Sequence, residues 1–376
     1  MIDPAQIPLG LYVHFPWCVR KCPYCDFNSH QAPQDIPAKA YVDALLADFQ
    51  QELQGLTGRK FQSVFMGGGT PSLIPGTEIA RLLEHLHEHL EPDAEITLEA
   101  NPGTIERQFF ADYVAAGVNR FSLGAQSFQA EQLARLGRIH QPDDIWRAIE
   151  LIQQLGVQRL NIDLMYGLPG QTPASAADDL SQALSCNPGH LSWYQLTLEP
   201  NTVFYNNPPR LPDDDTLAAI ETLGTQILGN QGYRQYEISA WCQPGQASRH
   251  NQVYWQFGDY VGIGAGAHGK LSTEQGSYRT TRTRVPQHYL QRILGGRQVQ
   301  PIERHNLPFE FMLNALRLRA GVAEHLFYRH TGLPISALEP QLSQLRQQGL
   351  LDATTLALSE RGWWFYNDVV AEFLSS

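Results

Sequence analysis

Positive charge is scarce in this chain, cysteine is rarer still, and long apolar runs are missing. Against 38 acidic residues the 376-residue sequence sets only 27 Lys and Arg, a formal charge of −11. Nucleic-acid phosphates reward a basic surface, so the balance points to a small molecule or a protein as partner. No stretch approaches the roughly 18 continuous apolar residues of a spanning helix. No basic patch leads into an apolar run near the N-terminus. The expectation is therefore a cytoplasmic chain without an integral membrane segment. Five cysteines are too few and too uneven for a disulfide framework. Three crowd into Cys18, Cys22 and Cys25, whereas Cys186 and Cys242 stand alone and read as small buried thiols. Reduced thiolates on a metal suit the crowded three.

What is present is an ordinary globular composition, 43% hydrophobic and 17% charged, enough for one large domain and a smaller one. Apolar, β-rich runs recur at Leu9–Phe15, Ser63–Met66, Glu95–Glu99, Arg120–Gly124, Arg159–Met165 and His190–Leu198. Amphipathic stretches separate most of them. In Asp144–Leu155, for example, Ile145, Ala148, Ile149, Ile152 and Leu155 share one helical face, and Tyr41–Leu53 and Ile79–Leu90 behave likewise. The alternation predicts an α/β fold: an incomplete (βα)6 barrel of parallel strands over residues 1–200, with an open doubly wound sheet as the alternative. Residues 201–300 lack a steady period and read as an extension of the barrel. Residues 301–376 predict a small winged-helix-like domain: helices at His305–Arg319 and Ile335–Gln348, β-like runs at Leu350–Thr354 and Leu356–Leu358, and a closing helix near Asp368–Leu374. Trp363 and Trp364 read as its anchors. From residue 305 onward it has five Arg, no Lys and seven acidic residues, which speaks against a DNA-binding role.

The segment Cys18-Val-Arg-Lys-Cys22-Pro-Tyr-Cys25 follows the first strand, which places three thiols at the C-terminal mouth of the barrel. Three thiolates on a [4Fe–4S] cluster leave one iron open to a further ligand. A zinc site completed by His14 or His30 is the alternative. The second strand ends in Gly67-Gly68-Gly69-Thr70-Pro71, where the missing side chains permit a close approach. Other strand ends carry Glu99, Gln126 and Asp163, each apt either as a local cap or, converging on one mouth, as a neighbour of a cationic, hydroxylated ligand.

With Tyr24 just before the third cysteine, Cys-x3-Cys-x2-Cys resembles the radical S-adenosylmethionine (SAM) superfamily. That resemblance implies a [4Fe–4S] cluster on Cys18, Cys22 and Cys25, with SAM as its ligand. The segments Tyr12–Cys18 and Gly167-Leu168-Pro169-Gly170-Gln171-Thr172 are similar to the coproporphyrinogen oxidase-like branch, which places Tyr12, Tyr24, Gly68, Gly69, Thr70, Glu99, Gln126, Arg138 and Asp163 around SAM. Two features depart from the oxidases: Phe27 stands where they have a fourth cysteine, and 17 residues precede Cys18 where they carry a longer extension.

Instead, Arg249-His250-Asn251-Gln252-Val253-Tyr254-Trp255 resembles the His-Asn-x-x-Tyr-Trp motif of HemW-type haem chaperones. Neutral imidazole ligates haem iron and aromatic rings offer flat apolar surface, so His250 becomes the expected axial ligand and Tyr254 and Trp255 the ring contacts. A His-Asn turn feeding a buried aromatic pair would leave the same trace. The run Gly262–Gly269 lacks the Lys-Ser/Thr of a nucleotide loop, and His268 within it is a second candidate ligand. The resemblance implies a chaperone that carries haem to haem-accepting client proteins. Oxygen-independent coproporphyrinogen III oxidation is the rival activity, and a cluster-sensing DNA-binding regulator is a third.

Overall fold

The computed structural model describes residues 2–56, 58–103, 108–291 and 296–374. The six anticipated strands are present: β1 (Leu9–Phe15), β2 (Phe61–Gly68), β3 (Leu90–Ala100), β4 (Arg120–Gln126), β5 (Arg159–Tyr166) and β6 (His190–Gln195). They lie side by side in that order, every neighbouring pair parallel. Burial on both faces explains their near-continuous apolar character, β4 being buried at all seven positions. Helices α1 (Ala38–Leu53), α2 (Gly76–Leu86), α3 (Pro142–Gln154) and α4 (Pro173–Ser185) cover the sheet. In α3 the anticipated face, Ile145, Ala148, Ile149 and Ile152, is buried, and Gln141 with Asp144 forms a capping box at its start.

The segment after residue 200 extends the same sheet at both ends. Beyond α5 (Asp214–Asn230), β7 (Arg234–Glu237) and β8 (Ala240–Cys242) add antiparallel strands beside β6. The chain then forms α6 (Arg249–Trp255) and crosses to the other edge. There β9 (Asp259–Ile263) pairs parallel with β1, followed by antiparallel β10 (His268–Thr273), β11 (Gly276–Arg282) and β12 (Arg297–Pro301). The open order of this twelve-stranded sheet leaves the barrel incomplete.

A second apolar cluster gathers Leu307, Phe311, Phe327, Leu342, Leu345, Leu356 and Val369. Its helices are α7 (Leu307–Ala315), α8 (Glu324–Thr331) and α9 (Gln341–Gln347), with Val322–Ala323 paired to Thr355–Leu356. The single helix expected over Ile335–Gln348 is instead a 3-10 turn, Ile335–Leu338, followed by α9. Pro340 has no N–H to donate and its ring clashes with the preceding turn, so one helix cannot run through it. Of the two tryptophans expected to anchor this region, Trp363 packs against the cluster under the Arg319 guanidinium, but Trp364 is 78% exposed. Cys186 and Cys242 are buried, and burial pushes both thiols up to about 11. No described helix is long and apolar enough to cross a membrane.

Candidate functional site: a thiol-lined mouth and a neighbouring cavity

Parallel strands place their loops at one end, and the C-terminal ends of β1 to β6 surround a cavity of about 310 Å³. Cys18, Cys22 and Cys25 all line it. The cysteine loop is pinned beside the sheet: the short strand Trp17–Cys18 pairs with His30–Gln31, and the Cys25 N–H donates to the Cys22 carbonyl. Each thiol has a polar neighbour. The Thr70 hydroxyl donates to Cys18 Sγ at 3.5 Å, Arg138 Nη1 donates to Cys22 Sγ at 3.6 Å, and Cys25 Sγ lies 3.6 Å from the Ser29 hydroxyl. Burial raises the Cys18 thiol above its usual pKa, opposed by the hydrogen bond from Thr70. His14 is an unsuitable fourth zinc ligand, because Tyr12 and the Asn28 carbonyl each lie 2.9 Å from one of its ring nitrogens. Three soft thiolates from one loop, facing a cavity deep enough for a further ligand, fit a [4Fe–4S] cluster.

Tyr24, Gly68, Gly69, Thr70, Glu99, Gln126, Arg138 and Asp163 line the same cavity, whereas Tyr12 lines the adjoining one. Local reasons fix each. The Gly69 N–H donates to the Phe15 carbonyl at 2.6 Å, and a Cβ on Gly69 would stand 2.6 Å from the Trp17 carbonyl oxygen, so only glycine lets β2 press against the cysteine loop. Gln126 takes a positive φ of 68° at the end of β4, a rare conformation that turns its side chain into the cavity, where the Tyr194 hydroxyl donates to it at 2.8 Å. Arg138 follows Gly137, which packs over Pro23; its guanidinium donates to the Asn101 side chain and to the Gly124 carbonyl. Asn101, Ser192 and Tyr194 also line the cavity and were not singled out from sequence. For Asn101 and Tyr194 the signal was available, since they stand just past and near the end of parallel strands, whereas Ser192 lies in the middle of β6.

Glu99 and Asp163 are two half-buried carboxyls facing the same space. Burial first, then the Asp163 charge, pushes Glu99 up to about 8, while the Gly68 N–H donates to it at 3.1 Å. Burial likewise raises Asp163, opposed by hydrogen bonds from Ser192, Asn161 and Ser122. A site that holds carboxyls at such cost is prepared for a cation. The folded chain therefore retains a proton on Glu99 between about pH 4.5 and 8 that the unfolded chain releases, so this contribution to stability is full below 4.5 and is lost as pH rises through 8. In the absence of SAM, thermal melts of the wild type and Glu99→Gln should diverge progressively from pH 5 to 8, with the wild type falling relative to the variant. Parallel curves would refute the assignment.

The second cavity, about 540 Å³, shares Gly68, Glu99 and Phe27 with the first and adds Tyr12, His14, Asn28, Tyr254, Tyr260, Gly266, His268 and Arg284. Tyr254 thus reaches it, but His250 and Trp255 do not line it. His250 is 1% exposed and lies in the barrel floor, stacked on Phe65 at 5.1 Å, with Ser63 2.9 Å from one ring nitrogen and the Tyr254 hydroxyl 2.8 Å from the other. Its backbone N–H donates to Glu95, which pairs with Arg159 and Arg120. Burial lowers the imidazole to about 3, so it is neutral and fully partnered inside the fold. Trp255 turns the other way, beneath the Arg317 guanidinium and against the C-terminal cluster. His250 and Asn251 stand in the first turn of α6 rather than in a loop turn, and Tyr254 and Trp255 are half-buried on different sides of it.

With this geometry in view, the comparisons are direct. Residues 12–183 match the radical SAM superfamily model and residues 302–365 match the HemN C-terminal domain. The chain is 47% identical to the haem chaperone HemW of Escherichia coli K12 across 98% of both chains, and 46% identical to that of Haemophilus influenzae across 99% of both. The chain belongs to the HemW family of radical SAM proteins. Its fold also superposes on coproporphyrinogen III oxidase (HemN) from Escherichia coli with a TM-score of 0.80 at 24% identity, covering 98% of this chain and 90% of that one. That likeness concerns architecture: the oxidase shares the incomplete barrel and the C-terminal domain. Membership in the HemW family implies a [4Fe–4S] cluster and SAM, the groups that the thiol-lined cavity fits.

Proposed function

We propose that this chain is a cytoplasmic haem chaperone, which takes up haem beside a [4Fe–4S] cluster and SAM and passes it to haem-requiring client proteins. The observation that carries the reading is the pair of adjoining cavities: one lined by three thiols and two half-buried carboxyls, the other by aromatic rings, two imidazoles and an arginine. The HemW name borne by relatives up to 47% identical over their full length supports haem as the cargo.

In this reading Cys18, Cys22 and Cys25 hold the cluster, and the open iron supplies a coordination position for SAM. Glu99 and Asp163 offer negative charge to a cationic ligand, Gln126 and Arg138 offer donors, and Gly68 and Thr70 shape the wall. Haem transfer itself requires no covalent step, so these residues bind and orient. The rival reading, oxygen-independent coproporphyrinogen III oxidation, is supported by shared architecture with the oxidase.

The test is anaerobic cluster reconstitution followed by titration with haemin. One haem per chain, with no decarboxylated product when coproporphyrinogen III, SAM and a reductant are supplied, is the expected result. Decarboxylation without haem uptake would replace this reading by the rival.

A further inference from the structure

We propose that haem iron is taken by His268 in the second cavity, with Arg284 receiving a haem carboxylate and Phe27 covering a face of the macrocycle. The assignment rests on the haem-chaperone reading and names the residues that would perform it.

Four imidazoles line a cavity or belong to the His-Asn-x-x-Tyr-Trp motif, His14, His140, His250 and His268, and three of these are already engaged. His14 has a partner at each ring nitrogen. His140 is 3% exposed, with its Nε2 3.2 Å from the Ala125 carbonyl. His250 is sealed in the floor between Ser63 and Tyr254. His268 lines the second cavity, as His14 does, but alone of the four it is exposed to solvent and makes no side-chain hydrogen bond among the described residues. Partial burial together with Arg279 and Arg284 lowers its pKa, which favours the neutral imidazole that iron requires.

The loop before His268 is built to hold it there. Gly264 has φ +103° and Gly266 φ +81°; a Cβ on the first would lie 2.4 Å from the His14 carbonyl oxygen, and on the second 2.2 Å from Asn28 Nδ2. A Cβ on Gly262 would collide with the His268 backbone at 1.9 Å. The glycine run is thus a tightly packed turn, pressed against β1 and the cysteine loop, and it delivers the first residue of β10 to the cavity wall.

The neighbours supply the rest of what haem demands. Haem combines a flat apolar ring, an iron that accepts imidazole and carboxylates at one edge. Phe27 is 61% exposed on the lip shared by the two cavities, an unusual position for a large apolar side chain. The rings of Tyr254 and Tyr260 meet edge to face at 4.5 Å in the wall. Arg284 supplies a guanidinium suited to a carboxylate, and its backbone carbonyl is fixed by Asn28 Nδ2 at 2.9 Å.

Haemin titration of the full-length, cluster-reconstituted chain distinguishes the candidates. His268→Ala should lose the absorption signature of imidazole-ligated ferric haem and weaken binding at least tenfold, and added free imidazole should restore the signature. His250→Gln, which keeps a hydrogen-bonding side chain in the floor, should retain the wild-type spectrum, with cluster absorbance and circular dichroism confirming its fold. Arg284→Ala should weaken binding without altering the ligation spectrum. An unchanged spectrum and affinity in His268→Ala, or loss of the signature in folded His250→Gln, would overturn the assignment while leaving the chaperone reading intact. A wild-type chain that takes up no haem would overturn that reading, and the assignment with it.

Discussion

Cys22→Ala should give a folded chain that cannot be loaded with a cluster: after anaerobic reconstitution the broad iron–sulfur absorbance near the visible edge should vanish and bound iron should fall close to zero. The size of the effect follows from ligand number. Three thiolates already leave one iron without a protein ligand, and removing the middle cysteine leaves two. Refolding is not at issue, because Cys22 lies in a half-buried loop outside both apolar clusters. Circular dichroism and melting temperature should therefore stay near wild type while iron is lost. The neighbouring Arg138, which donates to Cys22 Sγ as well as to Asn101 and Gly124, keeps its other two partners in the variant. A variant retaining a full complement of iron and its absorbance would remove Cys22 from the ligand set.

The largest loss of stability should come from a residue far from any thiol. Arg282 in β11 is fully buried and clasps two acidic side chains of α1: its Nε donates to Asp48 at 2.8 Å and its Nη2 to Glu52 at 2.6 Å. Tyr289 and the Gly264 N–H also donate to Asp48. Burial raises the Asp48 carboxyl, and Arg282 is the chief influence holding it down. Arg282→Ala leaves the buried Asp48 carboxylate without its cation and opens a void, while Glu52 keeps the Arg297 guanidinium. Breaking a buried pair from one side costs on the order of 3–5 kcal/mol. Urea unfolding should show that loss, and Asp48→Asn combined with Arg282→Met should recover part of it. A decrease below about 1 kcal/mol would show that water enters and solvates the site.

The parallel core was legible because its strands are apolar on both faces and end in glycine or polar residues, as in Phe61–Gly68 and Arg120–Gln126. The outer strands were not. Gly276–Arg282 reads GSYRTTR and Arg297–Pro301 reads RQVQP, sequences whose β structure comes from pairing with a neighbour rather than from an apolar run of their own. The small C-terminal domain was visible in outline, with the helix Glu324–Thr331 missed because its polar sequence EHLFYRHT gives a weak periodic signal.

The site divides along a similar line. Cys18, Cys22 and Cys25 declare themselves by spacing, and the Gly68, Glu99 and Gln126 positions by recurring at strand ends. The depth of His250 could not be read, because it is decided by Ser63, Phe65 and Glu95, residues distant in sequence that the barrel brings beneath α6. For the same reason His268 was visible as a histidine in a glycine run, but its open position could be judged only once β10 had been set against the cysteine loop.

Asn28 has a consequence beyond packing. From the end of the cysteine loop its single amide nitrogen donates to the carbonyls of Ala265 and Arg284, each at 2.9 Å, and so staples the loop to the wall of the second cavity. A ligand in one chamber that shifted this staple would change the free energy of binding in the other, and thermodynamic linkage would make that term symmetric. Whatever factor a loaded cysteine loop adds to the grip on cargo, bound cargo returns to the retention of the loop's contents. Under the proposed chaperone reading, discharge to a recipient and loosening of the thiol-lined chamber would be two faces of one equilibrium, linked through Asn28 and through Phe27, Gly68 and Glu99, which both chambers share.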